Sequence, residues 1–159
     1  MKKMLLAAMA VLLMCACSSE RGYLNYRGLS MGIKASAMAD SLVAMLPNLA
    51  VDTAKSGDGQ TVLADTLAQN FAVTIYHHND TISDILESYV ATYNDSTSNL
   101  WQKLHDELQQ TMGWPNMGKH GDLHKDATFE NESGTVVLTL LNTYSPTLSV
   151  RYSISTTQD

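Results

Sequence analysis

Two histidines in a polar stretch are the residues of this sequence best suited to binding a metal ion. Three residues separate His120 from His124, and Asp122 is one of them. Two imidazoles and a carboxylate can hold zinc and leave one coordination position open. However, Gly118 and Gly121 predict a loop, where this spacing does not place two side chains on one face. We therefore predict no metal and no other cofactor, with His120 and His124 as the only ligand candidates.

Motifs of known catalytic or nucleotide-binding loops are absent from the chain. It contains no G-x-S-x-G elbow, no Walker loop, no Rossmann glycine pattern and no H-E-x-x-H. The adjacent carboxylates Asp106 and Glu107 fall on the polar side of a predicted helix, where solvated charge is the expected role. We predict no catalytic residue and no enzymatic activity, and we retain a small hydrolase or metal binder as an alternative.

The amino-terminal segment has the layout of a secretory signal. Lys2 and Lys3 precede an apolar run from Met4 to Met14, and small residues follow. This run is shorter than the roughly 20 apolar residues that a membrane span requires. The pattern predicts a cleaved signal peptide over residues 1–16, which fits a lipid-anchored protein or, as the alternative, an ordinary soluble secreted protein.

Cys17 follows Ala16 directly, and this arrangement resembles the lipobox of bacterial lipoproteins. The resemblance implies that the chain is cut before Cys17 and that its sulfur and new amino terminus are acylated. Residues 17–22 then form a lipidated tether, and residues 23–159 form a single domain. The lipid anchor makes the membrane one partner of the protein and places it in the cell envelope, on the periplasmic or the surface side.

The charge of the mature chain argues against several classes of partner. Without residues 1–16 it retains 8 basic and 16 acidic side chains, a balance of −8. An acidic protein without a basic stripe repels phosphate backbones, which excludes nucleic acid as an expected partner. No cysteine follows Cys17, so the domain has no disulfide and must be stabilised by packing alone.

Hydrophobic periodicity predicts two amphipathic helices. The first covers residues 35–46 and ends at Pro47. The second begins at a cap formed by Ser96 or Ser98 and ends at Met112. Its apolar stripe consists of Leu100, Trp101, Leu104, Leu108 and Met112.

Short alternating segments predict an antiparallel sheet. The predicted strands are residues 23–29, 49–54, 61–65, 71–78, 82–93, 127–130, 135–141 and 148–154. The fold class is therefore α+β, a two-layer domain with both helices on one face of the sheet. The order of elements, a helix followed by strands and then the same again, suggests two related halves. Residues 114–126 are expected to form a polar loop.

Trp114 and Met117 in this loop have two interpretations. We expect Trp114 to pack back on the core. The alternative is that the two side chains form an exposed anchor for a partner.

Two short patterns bear on the family. Gly28-Leu29-Ser30-Met31-Gly32 before the first helix, and Gly113-Trp114-Pro115 after the second, resemble stretches of small, mostly uncharacterised bacterial lipoproteins. The order of elements is similar to the tandem-repeat architecture of the beta-lactamase inhibitor protein family. We therefore predict a non-enzymatic binding or assembly module of the envelope, whose partner is an unknown protein or glycan. A secreted inhibitor of an enzyme is an alternative.

A repeated triplet indicates a site of modification. Asp, then Ser or Thr, then an apolar residue or Thr occurs five times, where composition predicts roughly one match. The triplet is similar to an O-glycosylation signal that one large group of didermal bacteria uses on envelope proteins. We predict Thr81, Ser96 and Thr53 as acceptors, and not Ser41, which lies within a helix. The alternative is that these residue types gather at turns and caps for local structural reasons.

Overall fold

The computed structural model describes residues 22–91, 94–119 and 123–155. Within them lie two helices, α1 (Ala35–Met45) and α2 (Asn94–Met112). The strands are β1 (Asn25–Tyr26), β2 (Leu29–Ser30), β3 (Leu49–Val51), β4 (Gln60–Asp65), β5 (Phe71–His78), β6 (Thr81–Val90), β7 (Asn116–Lys119), β8 (His124–Asn131), β9 (Gly134–Leu141) and β10 (Thr147–Ile154). The fold class is α+β, as the sequence predicts, and most of its elements are strands.

Strands β3 to β10 form one antiparallel sheet of eight strands in the order β3-β4-β5-β6-β10-β9-β8-β7. After the β1–β2 hairpin, the chain runs through one helix and four strands, and then repeats that order. The last strand of each half lies at the centre, where Glu87 of β6 pairs with Val150 of β10. The repeat of elements that the sequence suggests is therefore present, and the β6–β10 pair is the seam between the halves.

The predicted strand over residues 23–29 is wrong, because this segment turns back on itself. Tyr26 pairs with Leu29 in a separate two-stranded hairpin. The two residues between them, Arg27 and Gly28, have positive φ angles of 51° and 81°. Consecutive left-handed residues give the type I′ turn that matches the twist of a tight hairpin.

The β5–β6 hairpin also turns through two left-handed residues, and its turn supports a helix. Asn79 and Asp80 have φ angles of 49° and 63°. The carboxylate of Asp80 accepts hydrogen bonds from the backbone N–H and the hydroxyl of Ser36, both at 2.9 Å. Its carbonyl accepts from the N–H of Ala35 at 2.9 Å. The turn thus caps α1, whose own N-cap residue makes no side-chain hydrogen bond to the helix.

Buried apolar side chains alternate in register across the sheet. Leu63 pairs with Val73, Leu138 pairs with Val150, and all four are fully buried. Helix α1 contacts β3, β4 and β5, whereas α2 contacts β8, β9 and β10. Buried residues of both helices, among them Leu42 and Trp101, belong to the same hydrophobic core.

Three boundaries correct the sequence prediction. The prediction of a polar loop over residues 114–126 is wrong, because β7 and the start of β8 pair within this segment, Gly118 with Asp126. Helix α2 begins at Asn94, so Ser96 and Ser98 lie inside its first turns and do not cap it. Strand β3 ends at Val51 because Asp52 turns the chain by accepting hydrogen bonds from the N–H groups of Ala54 and Lys55.

The two ends of the sheet differ in their connections. We call the end with the two-residue turns 79–80 and 132–133 the turn end. The opposite end, with the connections 66–70 and 142–146 and with Leu123, is the loop end. Gly22, the first described residue, lies at the turn end, because a Cβ added to it would sit 3.5 Å from the hydroxyl oxygen of Ser133.

Candidate functional site

The loop end is built from turns that hydrogen bonds hold in place. The carboxylate of Asp65 accepts from the N–H groups of Leu67 and Ala68 at 2.8 and 3.1 Å. The N–H of Asn142 donates to the carbonyl of Leu123 at 2.7 Å, which joins two neighbouring connections. These side chains are therefore presented on ordered backbone, which lowers the entropy cost of binding.

Large apolar side chains are exposed on these turns. Tyr144 is completely exposed and Leu67 is 75% exposed. Leu123, directly before β8, is 62% exposed, and Val90, the last residue of β6, is 47% exposed. Tyr144 and Val90 line one cleft there, and neighbouring exposed apolar residues mark surfaces that contact other molecules.

The chain segments around Leu67 and Tyr144 carry little charge. Residues 140–149 contain no Asp, Glu, Lys or Arg, and neither do residues 66–79. The carboxylate of Asp65, which directly precedes residues 66–79, is occupied with its own turn. The central part of a protein interface has a similar composition, with few charged residues and with exposed apolar and aromatic side chains.

Two adjoining clefts lie beside the exposed side chains. One has a volume of about 580 Å³ and lies between Tyr144 and Ser145 on one side and Gln69 on the other. The second, of about 470 Å³, extends towards Asp52 and Lys55. Gln69, Asn70 and Val90 line both clefts. The loop end is therefore concave between protruding side chains, a shape that a partner surface can fill.

A second polar site is buried at the seam between the halves. Glu87 is only 2% exposed although it is acidic. Its Oε1 accepts from the hydroxyl of Tyr26 and from Nε of Arg27, both at 2.6 Å, and its Oε2 accepts from the hydroxyl of Tyr89 at 2.7 Å. Nη2 of Arg27 donates to the Tyr89 hydroxyl at 3.0 Å. We call Tyr26, Arg27, Glu87 and Tyr89 the clamp.

Protonation in the clamp is set by burial and by Glu87. Burial raises the pKa of the Tyr26 and Tyr89 phenols, and the neighbouring Glu87 carboxylate raises both further. Burial alone would lower the pKa of the Arg27 guanidinium, but the carboxylate beside it outweighs burial and the pKa is raised. Both phenols stay protonated and donate to the oxygens of Glu87. The clamp is a closed set of hydrogen bonds, which suits it to holding the β1–β2 hairpin rather than to catalysis.

The sequence did not predict the clamp, although it contained a signal. Glu87 stands between Ile85 and Tyr89 in an alternating strand, at a position that faces the core. A carboxylate at such a position needs a buried cationic or donor partner. The sequence could not identify that partner, because Arg27 is 60 residues away.

The metal candidates are only partly within the described residues. His120 and Asp122 lie outside them. His124 opens strand β8 and is half-buried. Among the described residues, no three His, Cys, Asp or Glu side chains gather in a way that could hold a metal ion.

The predicted glycan acceptors are all on the surface. Thr81 follows the β5–β6 turn at the start of β6, Thr53 lies in the β3–β4 connection, and Ser96 lies in the first turn of α2; all three are exposed. Ser41 lies inside α1 and donates its hydroxyl to the carbonyl of Ala37 at 2.8 Å. The aspartates that directly precede Thr53 and Thr81 have structural roles, since both accept backbone hydrogen bonds.

The expected packing of Trp114 on the core is wrong. Its side chain is 87% exposed, and that of Met117 is 54% exposed. Gly113 ends α2 with a φ of 92°, and the chain then leaves the helix for the edge strand β7, so Trp114 does not return to the core. The alternative interpretation, an exposed pair, describes this edge correctly.

Comparisons with known proteins add no family to these observations. No helix among the described residues has the length and the apolarity needed to cross a membrane. Cys17 lies outside the described residues. No protein-family model, no curated protein and no solved structure matches the chain.

Proposed function

We propose that this protein is a lipid-anchored component of the cell envelope that acts as a non-enzymatic binding module, and that its loop end binds a protein. The observation that carries the proposal is the exposure of Tyr144 and Leu67 on ordered connections, residues 66–70 and 142–146, that contain no charged side chain. In an acidic chain, an uncharged and partly apolar end is a distinct surface. A partner can desolvate the Tyr and Leu side chains there without burying an unpaired charge.

A protein fits this surface better than a glycan does. Aliphatic side chains such as Leu67, Leu123 and Val90 gain free energy mainly by burial against apolar groups, about 25 cal/mol for each Å². Sugar hydroxyls would instead require a dense set of polar side chains. A glycan partner is therefore an outcome that the experiment must be able to reveal.

Photocrosslinking in living cells tests the site even though the identity of the partner is unknown. A photoreactive phenylalanine analogue at position 144 should crosslink one protein reproducibly. The same analogue at position 114, where the side chain is 87% exposed, is the matched control. This position lies beyond the end of α2 and should not crosslink that protein. Crosslinking of one protein from position 114 alone, or of carbohydrate alone from position 144, would overturn the proposal.

Purified components then test affinity. Tyr144→Ala and Leu67→Ala should each weaken binding of the crosslinked protein about tenfold or more, as expected for central interface residues. Trp114→Ala should leave the affinity unchanged. If the partner is an enzyme whose activity falls on binding, the module is an inhibitor, which uses the same surface. Full affinity in both loop-end variants would disprove this use of the loop end.

The membrane anchor requires its own test. Cys17→Ser should release the protein from the membrane fraction or prevent removal of residues 1–16, because serine offers no sulfur for acylation. Membrane partitioning and processing identical to those of the unaltered chain would refute the lipid anchor but would not bear on the loop end.

We also infer a two-layer arrangement, with both helices on the same face of the sheet. Support comes from the shared core of α1 and α2 and from the register of buried residues. Single cysteines can test it, because the mature chain has no other thiol after Cys17→Ser. Thr74→Cys and Thr139→Cys, on the opposite face by register, should react rapidly with a maleimide, whereas Val73→Cys should not. Equal protection of all three would mean that both faces are covered.

A further inference from the structure

We propose that the clamp fixes the orientation of the domain on the membrane, so that the loop end faces away from the bilayer. This inference rests on the proposed lipid anchor at Cys17. It assigns a role to the β1–β2 hairpin that the binding function does not require. It also specifies which end of the sheet lies next to the membrane.

The path of the chain provides the first argument. Gly22 lies beside Ser133 at the turn end, and it is five positions after the lipidated Cys17. Fully extended, five residues span at most about 18 Å. Strand β9 runs from the turn end to the loop end over 8 residues, which is roughly 24 Å. The loop end therefore cannot turn towards the bilayer, because with so short a tether the body of the domain would have to enter the space that the lipids occupy.

The clamp keeps this tether short. It holds the hairpin through two hydrogen bonds to the buried Glu87, from Tyr26 and Arg27, and through one from Arg27 to the Tyr89 hydroxyl. The side chain of Leu24 also lies against Gly134. If the hairpin came loose, residues 22–34 would join the tether, since α1 begins at Ala35. These residues would add up to about 45 Å of reach. That length exceeds the sheet, and the restriction on orientation would disappear.

The residues at the two ends agree with this orientation. Glu130 and Glu132 lie at the turn end, where acidic side chains stay hydrated beside lipid headgroups. Tyr144 and Leu67 lie at the other end, where the bilayer cannot cover them. A module anchored in this way offers its uncharged surface to a protein rather than to its own membrane.

The experiment uses the mature chain with a maleimide phospholipid coupled to Cys17, in nanodiscs of phosphatidylcholine. The chemical anchor works whether or not cells acylate this residue, so failure here is distinct from failure of the Cys17→Ser test. Spin-labelled headgroups should broaden the amide signals of residues 132–134 strongly and those of Leu67 and Tyr144 least. Broadening of the loop end as strong as that of the turn end would overturn the proposal.

Two variants test whether the short tether and the clamp cause this orientation. Insertion of 24 Gly and Ser residues between Ser19 and Glu20 gives a flexible span of about 27 Å. It should abolish the contrast in signal broadening between the turn end and the loop end while leaving the chemical shifts of the domain unchanged. Arg27→Ala should reduce the contrast and speed amide exchange in residues 24–31. If the contrast survives the insertion, tether length does not set the orientation and the proposal fails, even where Arg27→Ala does not fold.

Discussion

Nε of Arg27 lies 2.6 Å from Oε1 of Glu87, within a core that leaves the Glu87 side chain 3% and the Arg27 side chain 34% exposed. Removing one partner of a buried ion pair leaves the other charge uncompensated, which costs about 3–5 kcal/mol when both are buried. Because solvent screens part of the Arg27 side chain, the cost here should be lower.

We therefore expect Arg27→Ala to lower the free energy of unfolding by about 2–3 kcal/mol, measured by urea denaturation at pH 7. The matched control is Arg151→Ala. Arg151 pairs with Asp84 at 3.0 Å, but its side chain is 52% exposed, so its loss should cost less than about 1 kcal/mol. Equal effects of the two substitutions would mean that the clamp does not stabilise the domain.

The Asp80 carboxylate should make stability depend on pH. Its hydrogen bonds from the N–H and the hydroxyl of Ser36 lower its pKa below the ordinary value. A carboxylate with a lower pKa in the folded state contributes stability above its unfolded pKa of about 3.9, and this contribution is lost as the pH falls. Asp80→Asn should reduce the denaturation midpoint at pH 7 and make little difference at pH 3. Asp58→Asn, at an exposed position in the β3–β4 connection, should leave the pH profile unchanged; a parallel shift at every pH in Asp80→Asn would contradict the electrostatic explanation.

Helix α2 should be anchored mainly by Trp101. This residue is 4% exposed, and Nζ of Lys125 lies 3.8 Å from its ring centroid. Trp101→Ala should cost about 3–5 kcal/mol, and Leu104→Ala, at a partly buried position, about 2 kcal/mol. Lys103→Ala should change the denaturation midpoint little, because its side chain is 70% exposed. Equal, small effects of all three would show that this face of α2 does not pack on the sheet.

Glycosylation can be read from the intact mass of the protein isolated from its native envelope. We expect a mass above that of the lipidated chain, and a stepwise loss of the excess in Thr81→Ala, Thr53→Ala and Ser96→Ala. Ser41→Ala should lose only the hydroxyl oxygen, because Ser41 lies within α1 and its hydroxyl is bonded to the helix. A mass equal to that of the lipidated polypeptide would leave the triplets with only their structural roles.

Local patterns were sufficient for the elements that apolar periodicity defines. The stripe through Trp101 predicts α2, and the alternation through Val73 and Ile75 predicts β5, because each pattern follows from the geometry of one element. The α+β class follows from these elements. The exposure of Thr53 and Thr81 also follows from local turn chemistry.

Features that depend on contacts between distant residues required the tertiary structure. Strand β7 has only 4 residues and weak alternation, and its strand conformation depends on pairing with β8, where Met117 lies opposite Ala127. The exposure of Trp114 depends on where the chain leaves α2 rather than on its residue type. The clamp joins Arg27 to Glu87 across 60 positions, and the loop end brings Leu67 and Tyr144 to the same end of one sheet. The sequence determines which face of each helix or strand is apolar, through the periodicity of its residues. The pairing order of the strands and the burial of single side chains depend on the free energy of the whole fold. That free energy decides which of these faces and charges meet.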